Sequence, residues 1–197
     1  MNKIKTLIDE GTINNRINEL AKEINEDYKD KKPVIICILK GAVYFFTDLT
    51  KKLNIDCDLE FMKISSYVGE KSTGKIEIKY DSNRDIKDKD IIVVEDIIDT
   101  GYTMSGLYDY LCEKEPKSIK LCVLLDKPER RKNYDITPDY TGFVIPNRFV
   151  IGYGLDYDDK YRNIPNISCI TNENDIEIEK DKEEIKKQLI KRKNSLH

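Results

Sequence analysis

Glu95 and Asp96 are neighbours, Asp99 follows three residues later, and Thr100, Gly101, Tyr102 and Thr103 come directly after. Adjacent carboxylates can hold a hard cation such as Mg²⁺ through oxygen. Small hydroxyl residues around a glycine, just ahead of a helical pattern, turn backbone N–H groups outward as a nest for an anion. Acids that hold a cation beside a cradle for phosphate point to a sugar-phosphate ligand. The plainer reading of Asp-Thr-Gly alone is a helix cap, because Asp and Thr cap helices well.

These acids need a rigid carrier. The preceding run Ile91-Ile92-Val93-Val94 reads as a strand buried on both faces, as in the centre of a parallel sheet. Open α/β sheets place ligands beyond the carboxyl ends of such strands. Upstream, Thr12 can cap a helix whose residues Ile13, Ile17, Leu20, Ala21 and Ile24 keep a helical period. Val34 to Leu39 forms a first buried strand, and Gly41 turns it into a helix carrying Val43, Phe46, Leu49 and Leu53. Asp58 to Ile64 and the alternating Ile76 to Tyr80 read as strands around a polar stretch, and Ile119 to Leu125 as another buried strand. Gly142 to Ile145 and Phe149 to Ile151 flank a turn at Pro146-Asn147, and Ile167 to Ile170 closes the pattern. Strand and helix in alternation predict an α/β fold with a doubly wound, mainly parallel sheet. The expected organisation is one domain over 1–172 and a charged helical tail over 173–197, in which Ile176, Ile178, Ile185, Leu189 and Ile190 allow an amphipathic helix. Truncation after Lys180 is expected to leave activity intact.

With 36% charged and 39% hydrophobic residues, the 197-residue chain has the composition of a soluble domain with a sizeable core. A net charge of −3 provides no global basic field for nucleic acid or an anionic membrane. No apolar run approaches membrane-spanning length and none reads as a signal peptide, so a cytoplasmic location is expected. The five cysteines are odd in number and form no Cys-x-x-Cys pair; Cys37 and Cys122, inside apolar runs, read as reduced buried thiols. The only histidine is His197, which excludes Ser-His-Asp and Cys-His catalysis and argues against zinc. Acid-base work falls to carboxylate, lysine or tyrosine.

Several other positions could reach the ligand edge. Lys40-Gly41 ends the first strand and offers one charge plus backbone donors, though Lys-Gly by itself is only a turn. Gly69 to Lys75 has the glycine and lysine spacing of a nucleotide-binding P-loop, but Ile76 stands where a hydroxyl must ligate Mg²⁺, and a strand pattern follows instead of a helix. That reading is rejected. Lys127 after a strand, Phe149 among apolar residues and the acidic turn Asp156-Tyr157-Asp158-Asp159 have bland readings as a solvated end, a core aromatic and a surface loop.

Taken together, these segments resemble the hypoxanthine-guanine phosphoribosyltransferases of the type I phosphoribosyltransferase family. The resemblance covers about residues 10 to 170 in four ordered motifs: Ile91 to Thr103, Leu39 to Phe46, Leu124 to Arg131 and Arg148 to Arg162. It implies the type I fold with a small hood of N-terminal and late segments. It also implies transfer of 5-phosphoribose from phosphoribosyl pyrophosphate to N9 of a 6-oxopurine, with Mg²⁺. By that resemblance Glu95 and Asp96 hold the ribose hydroxyls, in part through Mg²⁺, and Asp99 to Thr103 bind the 5′-phosphate. Asp99 acts as base at N7. Lys40, Gly41 and Arg162 grip pyrophosphate at a loop where family members often hold a non-proline cis peptide. Ser66 and Tyr67 belong to a mobile lid, although a polar hairpin loop has the same composition. Lys127 reads the purine O6, Phe149 stacks on the ring, Val150 offers backbone groups to the base edge, and Asp156 holds a second Mg²⁺, while Asp158 and Asp159 are structural. An ammonium donates and never accepts, so Lys127 suits an oxo group and opposes an amino group. Lys63 and Ser65 depart from the Arg and Lys that some members carry there. A homodimer or homotetramer is the family habit. Two other classes share the signature. An RNA-binding regulator of pyrimidine genes, resembling uracil phosphoribosyltransferases, needs a basic face, and a phosphoribosyl pyrophosphate synthase needs a longer, duplicated chain.

Overall fold

The structure is a computed structural model and describes residues 3–66, 76–82, 84–131, 136–171 and 177–195. Six strands form the main sheet in the order β4-β3-β2-β5-β6-β7: β2 (Val34–Leu39), β3 (Asp58–Ser66), β4 (Ile76–Tyr80), β5 (Asp90–Ile98), β6 (Ser118–Asp126) and β7 (Tyr140–Val144). All pairings are parallel except the edge strand β4, which runs antiparallel to β3.

Burial on both sheet faces accounts for the unbroken apolar runs. Ile35, Cys37, Ile92, Val94, Cys122 and Leu124 pack with α1 (Glu10–Asp27) and α2 (Val43–Thr50). Their alternate neighbours Val34, Ile36, Ile38, Ile91, Val93 and Val123 pack with Met104, Leu107 and Leu111 of α3 (Tyr102–Cys112). Helices on both faces make the sheet doubly wound, as expected from the alternation of elements.

Four features differ from the sequence reading or lie outside it. Asp9, not Thr12, caps α1: its carboxylate accepts from the Thr12 backbone N–H at 2.9 Å and from the Thr12 hydroxyl at 2.8 Å. Thr12 is the third helical residue and completes the cap from inside. Second, the N-terminal residues form β1 (Lys3–Ile8), antiparallel to β9 (Ile167–Thr171), which pairs in turn with the two-residue strand β8 (Val150–Ile151). This separate three-stranded sheet, in the order β1-β9-β8, is the hood. Third, the segments flanking Pro146-Asn147 do not pair with each other, since β7 ends the main sheet and β8 enters the hood. The turn carries the chain from one layer to the other.

Fourth, α4 (Glu177–Ser195) docks on the core. Ile178 and Ile185 are buried in the α1/α2 layer, and Arg192 donates to the carbonyls of Thr141 and Gly142 at 2.7 and 3.2 Å. The buried Arg16 of α1 donates to the same two carbonyls, so two arginines cover the free edge of β7. The expectation that cutting after Lys180 is harmless is therefore revised. Ile185→Ala should cost about 2–5 kcal/mol, lowering the melting temperature by roughly 5–15 °C in a chain of this size. A calorimetric scan showing no shift would contradict the packing.

Candidate active site

The strand order sets a switch point between β2 and β5. From β2 the chain continues through α2 to β3 on one side, whereas β5 leads through α3 to β6 on the other. Ligand crevices in open α/β sheets lie at such points. The β2–β5 ladder ends at Cys37↔Val94, while β5 remains paired with β6 as far as Ile98↔Asp126. Glu95 and Asp96 thus sit where β5 has lost its β2 neighbour and faces the loop after β2. That loop contains a cis peptide between Leu39 and Lys40. Gly41 then passes so close that an added Cβ would lie 1.6 Å from Asp96 Oδ2. Only a residue without a side chain fits.

Burial pushes the Glu95 carboxyl well above its usual range, and the Asp96 charge adds to the shift. Burial also raises Asp96, opposed by hydrogen bonds from Glu95 and the Ile97 N–H and by the Arg162 charge. Below them, burial pushes the Cys37 thiol up to about 12, so this cysteine is an inert core group. Glu95 Oε2 is buried and finds no hydrogen-bond partner among the described residues. An orphaned carboxylate oxygen beside a second acid suits a hard dication, so the donor set fits Mg²⁺. Among the described residues no three His, Cys, Asp or Glu side chains converge on one point.

This acid pair has a cost for folding. A carboxyl raised in the folded state stabilises the fold fully below its usual value of 4.5, and that contribution is lost as pH rises through the folded value. Glu95→Gln removes the titration. In chelator-treated protein the variant should melt above the wild type at neutral pH, with a difference that grows as pH rises above about 4.5. Parallel melting profiles would show that Glu95 carries no such burden.

The anion cradle forms at the end of β5. Gly101, with φ of 83°, is the N-cap of α3 in a left-handed conformation suited to glycine, and its carbonyl accepts from Ser105 N–H at 2.9 Å. Thr100 Oγ1 accepts from Tyr102 N–H at 3.4 Å. Asp99 is engaged from the segment after β6, where Arg130 Nε, in the 3-10 turn Pro128–Arg130, donates to its Oδ1 at 2.7 Å and Lys127 Nζ lies 3.5 Å from its Oδ2. Lys127 is 6% exposed and its backbone N–H donates to the Ile98 carbonyl, so β6 delivers this ammonium beside the cradle. Asp126 and Arg131, both nearly buried, form an ion pair behind it.

The hood and its following loop complete the rim. Phe149 is 56% exposed, which rules out the core-aromatic reading, and its ring meets that of Tyr157 edge-on at 5.5 Å. Val150 opens β8 and is buried. Gly154, with φ of 100°, leaves no room for a side chain, since an added Cβ would lie 1.9 Å from the Gly41 carbonyl oxygen. This contact presses the hood loop onto the loop after β2. Arg162 donates to the Gly154 carbonyl at 2.7 Å and pairs with Asp156 at 2.8 Å. Lys40 and Arg162 each approach Asp159 Oδ1 to 3.0 Å.

The fold thus joins Gly41 to Asp96, Lys127 to Asp99, and Lys40 to Arg162 through Asp159. Ser66 ends β3, and Tyr67 lies outside the described residues. Sequence reasoning missed Arg130 as a partner of Asp99, Tyr157 as a partner of Phe149, and Asp159 as the bridge between two cations. Each partner comes from a distant element or from a loop whose composition alone reads as solvated surface. The hydrophobic period of the chain carries no signal for them.

A half-buried acid pair at a switch-point crevice, with an anion cradle and cations facing it, fits a type I phosphoribosyltransferase. The family model described as the phosphoribosyl transferase domain matches residues 5–158, and the chain belongs to that family. It is 47% identical over 166 residues to the hypoxanthine-guanine-xanthine phosphoribosyltransferase of Tritrichomonas foetus, covering 84% of this chain and 91% of that one. It is 45% identical over 170 residues to the hypoxanthine-guanine phosphoribosyltransferase of Aquifex aeolicus, covering 85% and 95%. The crystal structure of a hypoxanthine-guanine phosphoribosyltransferase from Bacillus anthracis superposes with a TM-score of 0.82 at 43% identity, over 86% of this chain and all of that one.

Proposed function

We propose that this enzyme transfers 5-phosphoribose from phosphoribosyl pyrophosphate to N9 of hypoxanthine and guanine, giving IMP or GMP and pyrophosphate in purine salvage. The observation that carries the reading is the half-buried acid pair, Glu95 and Asp96, set against a glycine-only loop and the anion cradle. Relatives that bear this activity in name, about 45% identical over most of the chain, support the substrate class. They give no support to an RNA-binding regulator.

In this reading the 5′-phosphate rests on the backbone N–H groups from Asp99 to Thr103, with the Thr100 and Thr103 hydroxyls. Glu95 and Asp96 orient the ribose hydroxyls and would hold Mg²⁺, with Asp156 offering a second position. Mg²⁺ held there would supply charge compensation to a pyrophosphate leaving group. Lys40, Gly41 and Arg162 spread the same charge through one ammonium, backbone groups and a planar guanidinium, and Ser66 and Tyr67 close from the lid. Lys127 donates to O6, Phe149 covers the ring, and Val150 presents main-chain groups to its edge. Asp99 takes or shares the proton at N7 as N9 attacks. The catalytic domain spans 1–172, with 173–197 as its charged helical tail, acting in the cytoplasm as a homodimer or homotetramer. Among the described residues no helix is long and apolar enough to cross a membrane.

Pyrophosphate release measured with phosphoribosyl pyrophosphate, Mg²⁺ and each of hypoxanthine, guanine, adenine and uracil tests the assignment. Hypoxanthine and guanine should turn over, with adenine lower by a factor on the order of 10⁴ because its amino group faces the Lys127 donors. Turnover of uracil alone would replace the assignment.

A further inference from the structure

Lys40 and Arg162 reach the same carboxylate oxygen. Asp159 Oδ1 lies 3.0 Å from Lys40 Nζ and 3.0 Å from Arg162 Nη2, joining elements 119 positions apart. One oxygen between an ammonium and a guanidinium is the place that a phosphate oxygen takes when two such cations grip it. We propose that Asp159 is an internal stand-in for the pyrophosphoryl group, neutralising Lys40 and Arg162 until a polyanion displaces it. This inference rests on the assignment of those two cations to pyrophosphate.

The surroundings fit a contact made to open. Asp159 is 69% exposed and Lys40 54%, so water screens the pairing and can solvate both groups once they part. Arg162 has independent anchors in the Gly154 carbonyl at 2.7 Å and Asp156 at 2.8 Å, which keep its fork in place when Asp159 leaves. The Asp159 backbone has its own tether, an N–H donated to Asp156 Oδ2 at 2.9 Å, so the side chain can swing without moving the turn. The hydrogen bond from Arg162, followed by that from Lys40, holds its carboxyl below the usual range, so it remains an anion at neutral pH.

Such a device sets a threshold for entry. A ligand must outcompete a carboxylate at both cations at once, which a pyrophosphoryl group can do through several charged oxygens and a monovalent anion cannot. When the product departs, Asp159 reoccupies the cations and opposes its return.

Asp159→Asn tests the proposal. Asn tolerates the left-handed backbone found here, φ 55°, so the turn survives while the charge is lost. With two exposed pairs removed, the dissociation constant of inorganic pyrophosphate with Mg²⁺, measured by calorimetry on the full chain, should fall about 3- to 10-fold. KM for phosphoribosyl pyrophosphate should fall with it, and inhibition by inorganic phosphate should strengthen. Damage to the turn weakens binding, so tightening separates displacement from a structural role. Unchanged or weaker pyrophosphate binding in Asp159→Asn overturns the proposal. Lys40→Ala tells the two levels apart. If it weakens pyrophosphate binding while Asp159→Asn does not tighten it, only the stand-in fails; if it leaves binding unchanged, the assignment of the cations fails. Should Asp159→Asn not fold, Asp159→Ser carries the same test.

Discussion

Asp99→Asn lowers kcat by about 10² to 10⁴ with hypoxanthine, the range that a positioned general base contributes. Asn has the same shape, and its amide oxygen can still accept from Arg130 Nε, which lies 2.7 Å from Asp99 Oδ1. What it lacks is the ability to take a proton. The proposed 5′-phosphate cradle consists of backbone N–H groups and Thr hydroxyls that the substitution leaves in place, so KM for phosphoribosyl pyrophosphate should change little. If Asp99 instead serves only to hold Lys127, 3.5 Å away, the variant raises KM for the base and spares kcat. Steady-state kinetics with each substrate varied in turn distinguishes the two. Full turnover by Asp99→Asn would remove the proton-transfer role altogether.

Gly41→Ala should reduce kcat/KM for phosphoribosyl pyrophosphate by about 10² or more, through placement and not through charge. The new methyl would sit 1.6 Å from Asp96 Oδ2 and 2.6 Å from Asp96 Cγ. Asp96 cannot readily yield, because it is half-buried and its Oδ1 accepts from the Ile97 N–H at 2.7 Å. The loop cannot retreat into the hood either, since the Gly41 carbonyl already touches Gly154 too closely for a side chain there. Either Asp96 or the Lys40-Gly41 backbone must move by the better part of an ångström, and both belong to the proposed site. Overpacking also costs about 1–3 kcal/mol of stability. Kinetics at a temperature well below the melting point separates the two effects. An Ala variant with wild-type kcat/KM would mean that the loop bends without consequence.

The parts of this protein legible in its sequence are those whose meaning is local. Ile91 to Val94 announces a strand buried on both faces, and the acids, hydroxyls and glycine after it mark a strand-to-helix turn able to hold cation and anion. Burial period and turn chemistry are short-range properties, so the doubly wound sheet and the turn from β5 into α3 could be anticipated. Lys3 to Ile8 was passed over although Lys3-Ile4-Lys5 alternates as a strand does, because so short a run names no partner and the one it pairs with, β9, comes more than 150 residues later. The Pro146-Asn147 turn looked the same whether its flanks paired or parted, and only the separate sheets of β7 and β8 decide that they part. The tail's helical period singles out Ile178 and Ile185, but what their face packs on is decided only by the docking of α4. The meeting of Lys40, Asp159 and Arg162 was settled by two close backbone contacts, Gly41 against Asp96 and Gly154 against Gly41, which draw distant loops to one rim. Residue type and spacing thus determined what chemistry each segment could offer. Which groups meet depended on the path of the chain through the sheet, since contact between remote segments follows from packing and leaves no periodic trace in either one.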